Sequence, residues 1–214
     1  WKQTGGTGSF SDLVTGDKSW RGIAIDNTTH DVYASVNNGS IWKQTAGTGS
    51  FADLVTGNKF WRTIAIDQTN HDVYAVVSSA SIWKQTGGTG SFSDLVTGDK
   101  SWYRIAIDNT NHDVYVAVDG VSIWKQTGGT GSFSDLVTGN KAWNAIAIDS
   151  TNHDVYAVVN SGSIWESKKT NDFYSLTDAG FTDVTNGADT HPFASGDQIK
   201  YTVQSALSYN TTYY

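Results

Sequence analysis

Residues 102–142 read WYRIAIDNTNHDVYVAVDGVSIWKQTGGTGSFSDLVTGNKA, and this stretch of 41 residues recurs along the chain. Residues 83–123 and 124–164, for example, are identical at 31 of 41 positions. The tryptophans mark the repeat, because the spacings between them alternate between 19 and 22 residues; they are Trp1, Trp20, Trp42, Trp61, Trp83, Trp102, Trp124, Trp143 and Trp165. A fixed period of this length is typical of proteins built by stacking one small structural unit.

Each repeat contains four short segments in which apolar and polar residues alternate or β-branched residues are dense. They are predicted as strands at Trp143–Asp149, Val155–Asn160, Ser122–Thr127 and Ser132–Val137, with equivalents in the other repeats. Clusters of Gly, Asn, Asp and Ser separate them and predict turns. No window has apolar residues at helical spacing over three turns, so the sequence predicts an all-β protein.

Four strands per 41 residues match the size of a β-propeller blade, which is one four-stranded antiparallel sheet. The chain begins midway through a unit, with Trp1–Thr4 and Phe10–Val14 as the last two strands of a blade. Four full blades and this half blade are therefore predicted, in a five-bladed ring that the two termini close. Pairing between chains through the open sheet edges is the alternative.

The predicted repeat region covers residues 1–176, and a β tail of different composition covers 177–214. Within the tail, Gln198–Ser205 is predicted as a strand. The tail either completes the ring or is a truncated module, and the sequence leaves both interpretations open.

The order of short motifs in the repeat resembles a known family. Ile-Ala-Ile-Asp, Thr-Asn-His-Asp, Val-Tyr and a glycine-rich turn after Ile-Trp-Lys-Gln-Thr follow one another as in the bacterial-neuraminidase or Asp-box repeat of β-propellers. The aspartate that names the box is missing, since the turn between the third and fourth strands at 85–90 reads QTGGTG. Residues 197–214, DQIKYTVQSALSYNTTYY, resemble part of a fibronectin-type-III-like domain. These resemblances imply a propeller followed by an extracellular module.

Composition narrows the function classes. The chain of 214 residues has a net charge of −7, which argues against a nucleic-acid or anionic-membrane surface. It has no cysteine, so disulfides and thiolate metal sites are excluded. No apolar run is long enough to predict a membrane span, and no signal peptide is visible. Without methionine even at position 1, the chain is interpreted as a piece of a longer protein.

The candidate ligand-binding residues lie where the predicted first strand of each repeat begins. Tryptophan is constant there, and the next two positions vary between repeats; the set is Trp20, Arg21, Trp61, Arg62, Trp102, Tyr103, Arg104, Trp143 and Asn144. Aromatic faces beside polar donors suit sugar rings. The competing interpretation is that the tryptophans pack between blades, which leaves the variable residues as the better candidates.

The recurring Asn-His-Asp turns offer weak metal candidates, represented by Asp26, His30 and Asp31. Oxygen-rich loops suit Ca²⁺ and a His-Asp pair suits a transition metal, but the spacing equally fits turns closed by side-chain hydrogen bonds. The glycine-rich segments lead into strands rather than helices, so they predict no phosphate site and no cofactor.

The sequence favours a non-catalytic role. Each His belongs to a symmetrical series, and near-identical repeats do not give an acid and a base different environments. We therefore expect an extracellular structural or adhesive module of a surface appendage, filament or tail fibre, at a cell or virion surface. The alternative is a multivalent lectin that binds extracellular glycans with weak sites on several blades. A sialidase-like glycosidase is the least favoured class, because the only glutamate is Glu166.

Overall fold

The computed structural model describes residues 1–167. They form an N-terminal segment (1–17) and four repeats, which we number 1 (18–58), 2 (59–99), 3 (100–140) and 4 (141–167). The predicted tail strand and the predicted boundary at 176/177 lie outside the described residues. No helix in the described part is long and apolar enough to cross a membrane.

The repeats contain short strands connected by tight turns. Repeat 1 has β1 (Trp20–Ile25), β2 (Val32–Gly39), β3 (Ile41–Gln44) and β4 (Ala52–Asp53). Repeat 2 has β5 (Lys59–Ile66), β6 (Val73–Val77), β7 (Ile82–Gln85) and β8 (Ser93–Asp94). Repeat 3 has β9 (Trp102–Ile107), β10 (Val114–Val118), β11 (Ile123–Gln126) and β12 (Ser134–Asp135). Repeat 4 has β13 (Trp143–Asp149), β14 (Asp154–Val159) and β15 (Ile164–Ser167).

Every repeat is an antiparallel sheet in which neighbours in sequence are neighbours in space. β9 pairs with β10, β10 with β11 and β11 with β12, and the first two repeats follow the same order. A short antiparallel pairing of β2 with β5, Asn37 opposite Phe60 and Gly39 opposite Lys59, also joins the sheets of repeats 1 and 2. The prediction of an all-β chain of small antiparallel sheets is confirmed.

The fourth strand is shorter than its sequence indicated. Ser132–Val137 was predicted, but β12 is only Ser134–Asp135. The Asp135 carboxylate accepts the amide of Val137 at 2.7 Å, and Val137 has a φ of 53°, so the chain turns away from β11. The N-terminal segment is likewise less regular than predicted, because Lys2 and Ser11 form a single bridge.

Each sheet has two apolar faces, because alternate side chains of a strand point to opposite sides. We define the front face by residues such as Trp61, Ile64 and Val73, and the back face by residues such as Tyr74 and Ile82. The front face of one repeat packs on the back face of the repeat before it. The core is therefore a series of equivalent sheet-to-sheet interfaces.

The two end faces of the stack are uncovered within residues 1–167. Ile23 on the front of repeat 1 is 67% exposed, whereas its equivalent Ile64 is 5% exposed. Ile164 on the back of repeat 4 is 74% exposed, whereas its equivalent Ile123 is 5% exposed. These faces lack the partner that the inner faces have.

A valine near the end of the N-terminal segment and of repeats 1, 2 and 3 lies in an unfavourable backbone conformation. Val14, Val55, Val96 and Val137 have φ between 51° and 53° and are 83–85% exposed. A β-branched side chain in the left-handed region clashes with its own backbone, and exposure gives no packing in return.

Replacing Val96 with Gly should therefore stabilise the protein. The left-handed conformation costs an L-residue about 1–2 kcal/mol, and the extra backbone freedom of Gly offsets about 0.5–1 kcal/mol of the gain. Urea unfolding should show a small increase in the free energy of unfolding, and Val96→Asn should give an increase too. The control is Val121→Gly, at an exposed loop position without positive φ, which should destabilise. A loss of stability in Val96→Gly would contradict the strain.

Candidate functional site: bulged first strands and the turns between repeats

The first strand of each repeat carries a β-bulge directly after its tryptophan. In repeat 2, Trp61 lies opposite Val77 and Thr63 opposite Val76, so Arg62 is the extra residue. The same register shift occurs in the other repeats, and the bulged residues are Arg21, Arg62, Tyr103 and Asn144. A bulge re-aims a side chain out of the regular alternation of a strand. The bulge thus displays the first of the two variable positions that follow the tryptophan.

The tryptophans of the first strands are part of the core. Trp61, Trp102 and Trp143 are at most 1% exposed, and only Trp20, on the uncovered front face, is partly accessible. The Trp61 ring meets the Trp83 ring edge-on, with centroids 6.1 Å apart. A buried ring offers no face to a sugar, so the stacking role proposed for these three residues is corrected in favour of packing.

The variable residues are more accessible than the tryptophans, and three of them form a cluster. The guanidinium carbon of Arg62 lies 4.2 Å from the centroid of the Tyr103 ring, and that of Arg104 lies 4.3 Å from it. These three side chains are partly buried, whereas Arg21 and Asn144 are exposed and make no such contact among the described residues. Of the sequence-predicted candidates, the structure therefore brings Arg62, Tyr103 and Arg104 together.

The His-Asp turns connect neighbouring repeats. Nδ1 of His71 lies 2.7 Å from the Asp26 carboxylate of the preceding repeat. The distance is 2.6 Å both for His112 with Asp67 and for His153 with Asp108. Sequence reasoning missed these contacts, because each pair joins residues 45 positions apart in different copies. The only available signal was that both members recur in every repeat.

The same aspartates close their own turns. Oδ1 of Asp26 accepts the amides of Thr28 at 2.8 Å and Thr29 at 3.1 Å. Burial by itself raises the pKa of Asp26, but the amides of Thr29 and Thr28 and the ring of His71 outweigh it, so the pKa is lowered. The predicted turn hydrogen bonds are confirmed, and the carboxylate is held in its charged form.

The metal candidates do not converge. His30 is exposed, whereas the Asp31 carboxylate lies 2.6 Å from Nζ of Lys43 and accepts the amide of Ala46 at 2.8 Å. The Asp26 carboxylate faces His71 of the next repeat instead. Among residues 1–167 no three His, Asp or Glu side chains are grouped where an ion would sit.

The glycine-rich turn is held by residues from outside it. In repeat 2, the Asp72 carboxylate accepts the amide of Gly87 at 2.8 Å, and the Gln85 side chain donates to the carbonyl of Gly90 at 2.6 Å. Gly87 has a φ of 59°, which favours glycine. Together these groups fix a turn that has no box aspartate.

A lysine extends from this turn to the next repeat. Nζ of Lys84 lies 2.6 Å from the Asp72 carboxylate and donates to the carbonyl of Gly129 at 3.1 Å. The hydroxyl of Tyr74 donates to the same carbonyl at 3.2 Å, and burial raises the pKa of this hydroxyl. Asp72, Lys84 and Tyr74 are therefore engaged in contacts within their repeat and with the next one.

No family model and no curated protein matches the sequence. Among solved structures, the fold is similar to the computationally designed Ika4 protein (TM-score 0.57, 13% identity, 73% of this chain and 95% of that one). It is also similar to a chain of a nidogen/laminin complex (TM-score 0.55, 16% identity, 66% and 57%). A third similarity is to an auxiliary nutrient binding protein of Bacteroides thetaiotaomicron (TM-score 0.57, 14% identity, 75% and 40%). At sequence identities of 13–16%, these similarities are evidence about the fold alone.

The lowered pKa of Asp26 leads to a prediction for Asp26→Asn. Because the folded-state pKa lies below the unfolded value, the charged carboxylate stabilises the protein above about pH 4, and this contribution is lost as pH falls through the folded-state pKa. At pH 7 the variant should lose about 1.5–3 kcal/mol, the range for hydrogen bonds to a charged group. The difference from the parent protein should shrink at acidic pH.

The control for this measurement is Asp17→Asn, which removes the same charge at an exposed position. Chemical denaturation between pH 2.5 and 7 should show little effect of this control. If the two variants gave the same pH dependence, the pairing of Asp26 with the turn and His71 would not stabilise the fold.

Proposed function

We propose that the chain is a non-catalytic repeat module of the β-propeller type with a structural or adhesive role outside the cell. The observation that carries the proposal is the use of the recurring polar residues. His71, Asp72 and Lys84, which stand for the recurring set, bond to a neighbouring repeat or to a turn. A catalytic site needs groups free to act on a substrate, and these groups are committed to the scaffold.

The finer architecture that we propose is a five-bladed ring with one blade shared between the termini. The N-terminal segment supports this proposal, because it contacts repeat 1 as one repeat contacts the next. Nζ of Lys2 donates to the carbonyl of Gly47 at 2.9 Å, as Lys43 does to Gly88 at 3.1 Å. This equivalent contact supports assigning the segment to the third and fourth strands of a preceding blade.

We assign the first and second strands of that blade to the tail. One period beyond β13 and β14, these strand positions fall at about 184–190 and 195–200, within the 47 residues that follow Ser167. The strand predicted at Gln198–Ser205 overlaps the second of them. The chain is therefore long enough to complete the shared blade.

A cavity borders the face that these strands would cover in the proposed ring. It has a volume of about 320 Å³ and lies between the N-terminal segment and the front of repeat 1. Its lining is mostly apolar: Trp1, Leu13, Thr15, Trp20, Arg21, Gly22, Ile23, Ala34 and Phe51. At the next interface, Tyr33 and Ile41 of repeat 1 are buried against the equivalent face of repeat 2.

The alternative function is a carbohydrate-binding lectin, and the display of variable residues at the bulges favours it. A glycan array, followed by NMR titration at millimolar sugar, separates the two functions. Saturable binding of a neutral sugar that perturbs the bulge residues would support the lectin. Absence of binding at these concentrations would support the structural role.

Ring closure predicts an unusual effect of Ile23→Asp. Ile23 is 67% exposed among the described residues, so a polar substitution there should be nearly neutral if the face remains open. In a closed ring the side chain is buried as Ile64 is, and the substitution should cost about 2–5 kcal/mol. Urea unfolding of the full chain measures the difference.

The matched control is Val121→Asp. Val121 is 42% exposed and Ile23 is 67% exposed, so exposure alone predicts that Val121→Asp loses at least as much stability as Ile23→Asp. A larger loss in Ile23→Asp supports a covered face, and equal losses contradict it. Light scattering on the parent chain and on Ile23→Asp identifies the covering segment. If both have the mass of a single chain, the result supports coverage of this face by the tail of the same chain. Large assemblies that dissociate in the variant would show that the face is covered by another chain.

A further inference from the structure

The bulged strands of repeats 2 and 3 place two arginines against one tyrosine. Arg62 belongs to β5, and Tyr103 and Arg104 belong to β9, which packs next to β5. Both guanidinium carbons are within 4.3 Å of the Tyr103 ring centroid. Stacking on an aromatic ring stabilises a guanidinium and leaves the N–H donors along its edges available to a ligand.

These donors are largely unused by the protein. Within residues 1–167, Arg104 donates one hydrogen bond, from Nη1 to the carbonyl of Tyr103 at 3.3 Å. Arg62 donates none, and its Nε is buried without a partner. A buried donor without an acceptor is costly, and such groups in native proteins call for an explanation such as a bound ion.

No carboxylate neutralises the pair. The ion pairs within the described residues join lysine or histidine to aspartate, and no arginine takes part in one. Two positive charges on one ring repel each other, and this repulsion is relieved when an anion binds. The positive site also stands out in a chain of net charge −7.

The cluster occurs once in the described chain. At the position equivalent to Arg104, repeat 1 has Gly22, where an added Cβ would lie 2.9 Å from Cα of Thr63. The approach of β1 to β5 therefore leaves no room for an arginine. Repeat 4 has Asn144 and Ala145 at the equivalents of Tyr103 and Arg104 and carries no positive charge there. The repeats are nearly identical elsewhere, so this site breaks their symmetry.

We propose that Arg62, Tyr103 and Arg104 form a binding site for a small oxyanion, the carboxylate or sulfate group of an acidic ligand. Guanidinium edges match the paired oxygens of these groups and bind them through two parallel hydrogen bonds. The site spans repeats 2 and 3, and all three of its residues lie in the described part of the chain. It does not depend on how the ring closes.

The test is an NMR titration of the full chain, labelled with ¹⁵N at arginine, at constant ionic strength. The probes are galacturonate, galactose 6-sulfate and, as the neutral match, galactose. We expect both anions to shift the Arg62 Nε–H signal saturably and galactose to leave it unchanged. Comparison of the two anions shows whether the site prefers a planar carboxylate or a tetrahedral sulfate.

Arg62→Gln and Arg104→Gln should each weaken anion binding at least about tenfold, the effect of losing a hydrogen bond to a charged group. Arg21→Gln is the matched control, because it removes the same charge from the equivalent bulge of repeat 1. It should bind the anions as the parent chain does. Thermal melting of all three variants verifies that they fold.

Three results would overturn the proposal. The first is the absence of a saturable shift with either anion at tens of millimolar. The second is an equal loss of binding in Arg21→Gln, which would indicate attraction to net charge rather than a site. The third is equal binding of galactose, which would show that the sugar ring and not the anion is recognised.

Discussion

The structure depends on the packing of one sheet's front face against the back face of the sheet before it. A repeat of 41 residues is too small to bury both faces of its own sheet, so the inner repeats depend on a neighbour at each face. The interface around Val73 and Ala75 recurs around Val114 and Val116, with almost all of these side chains excluded from water. Hydrophobic burial of this kind supplies the main driving force for folding.

Polar contacts make the interface specific. A face of Val, Ile and Ala side chains alone would tolerate slippage between sheets, but His112 meets Asp67 and Lys84 meets the carbonyl of Gly129 only in one register. Buried polar groups are costly unless they are paired, so a slipped arrangement is penalised. The near-identity of the repeats follows from this constraint, because both partners of each contact must recur with the same period.

The bulges carry variable residues, and within residues 1–167 their contacts do not recur from repeat to repeat. The bulged residues Arg62, Tyr103 and Asn144 differ in charge and shape although they lie on equivalent backbone. A scaffold that is fixed by its interfaces can therefore carry different side chains at its bulges. This division supports a binding or adhesive role better than a catalytic one.

Much of the fold could be predicted from the sequence, since the tryptophan period and the alternation of apolar residues report on local structure. Strands such as β13 were placed to the residue because their ends carry tryptophan and aspartate. The sequence left both a binding role and a packing role open for Trp61, which the structure buries. The pairing of His71 with Asp26 could not be predicted, because it depends on the neighbouring repeat. The Arg62–Tyr103 contact was hidden for the same reason, although the variation of both positions identified them as candidates.

The central claim is that every repeat, including those at the ends, is stabilised by neighbours on both faces. Native-state hydrogen exchange measured by NMR tests it most directly, at the equivalent second-strand amides of Tyr33, Tyr74, Tyr115 and Tyr156. A closed arrangement predicts similar protection at all four, because they unfold together. Protection that falls towards repeats 1 and 4, while repeats 2 and 3 stay protected, would show an open stack and contradict the account.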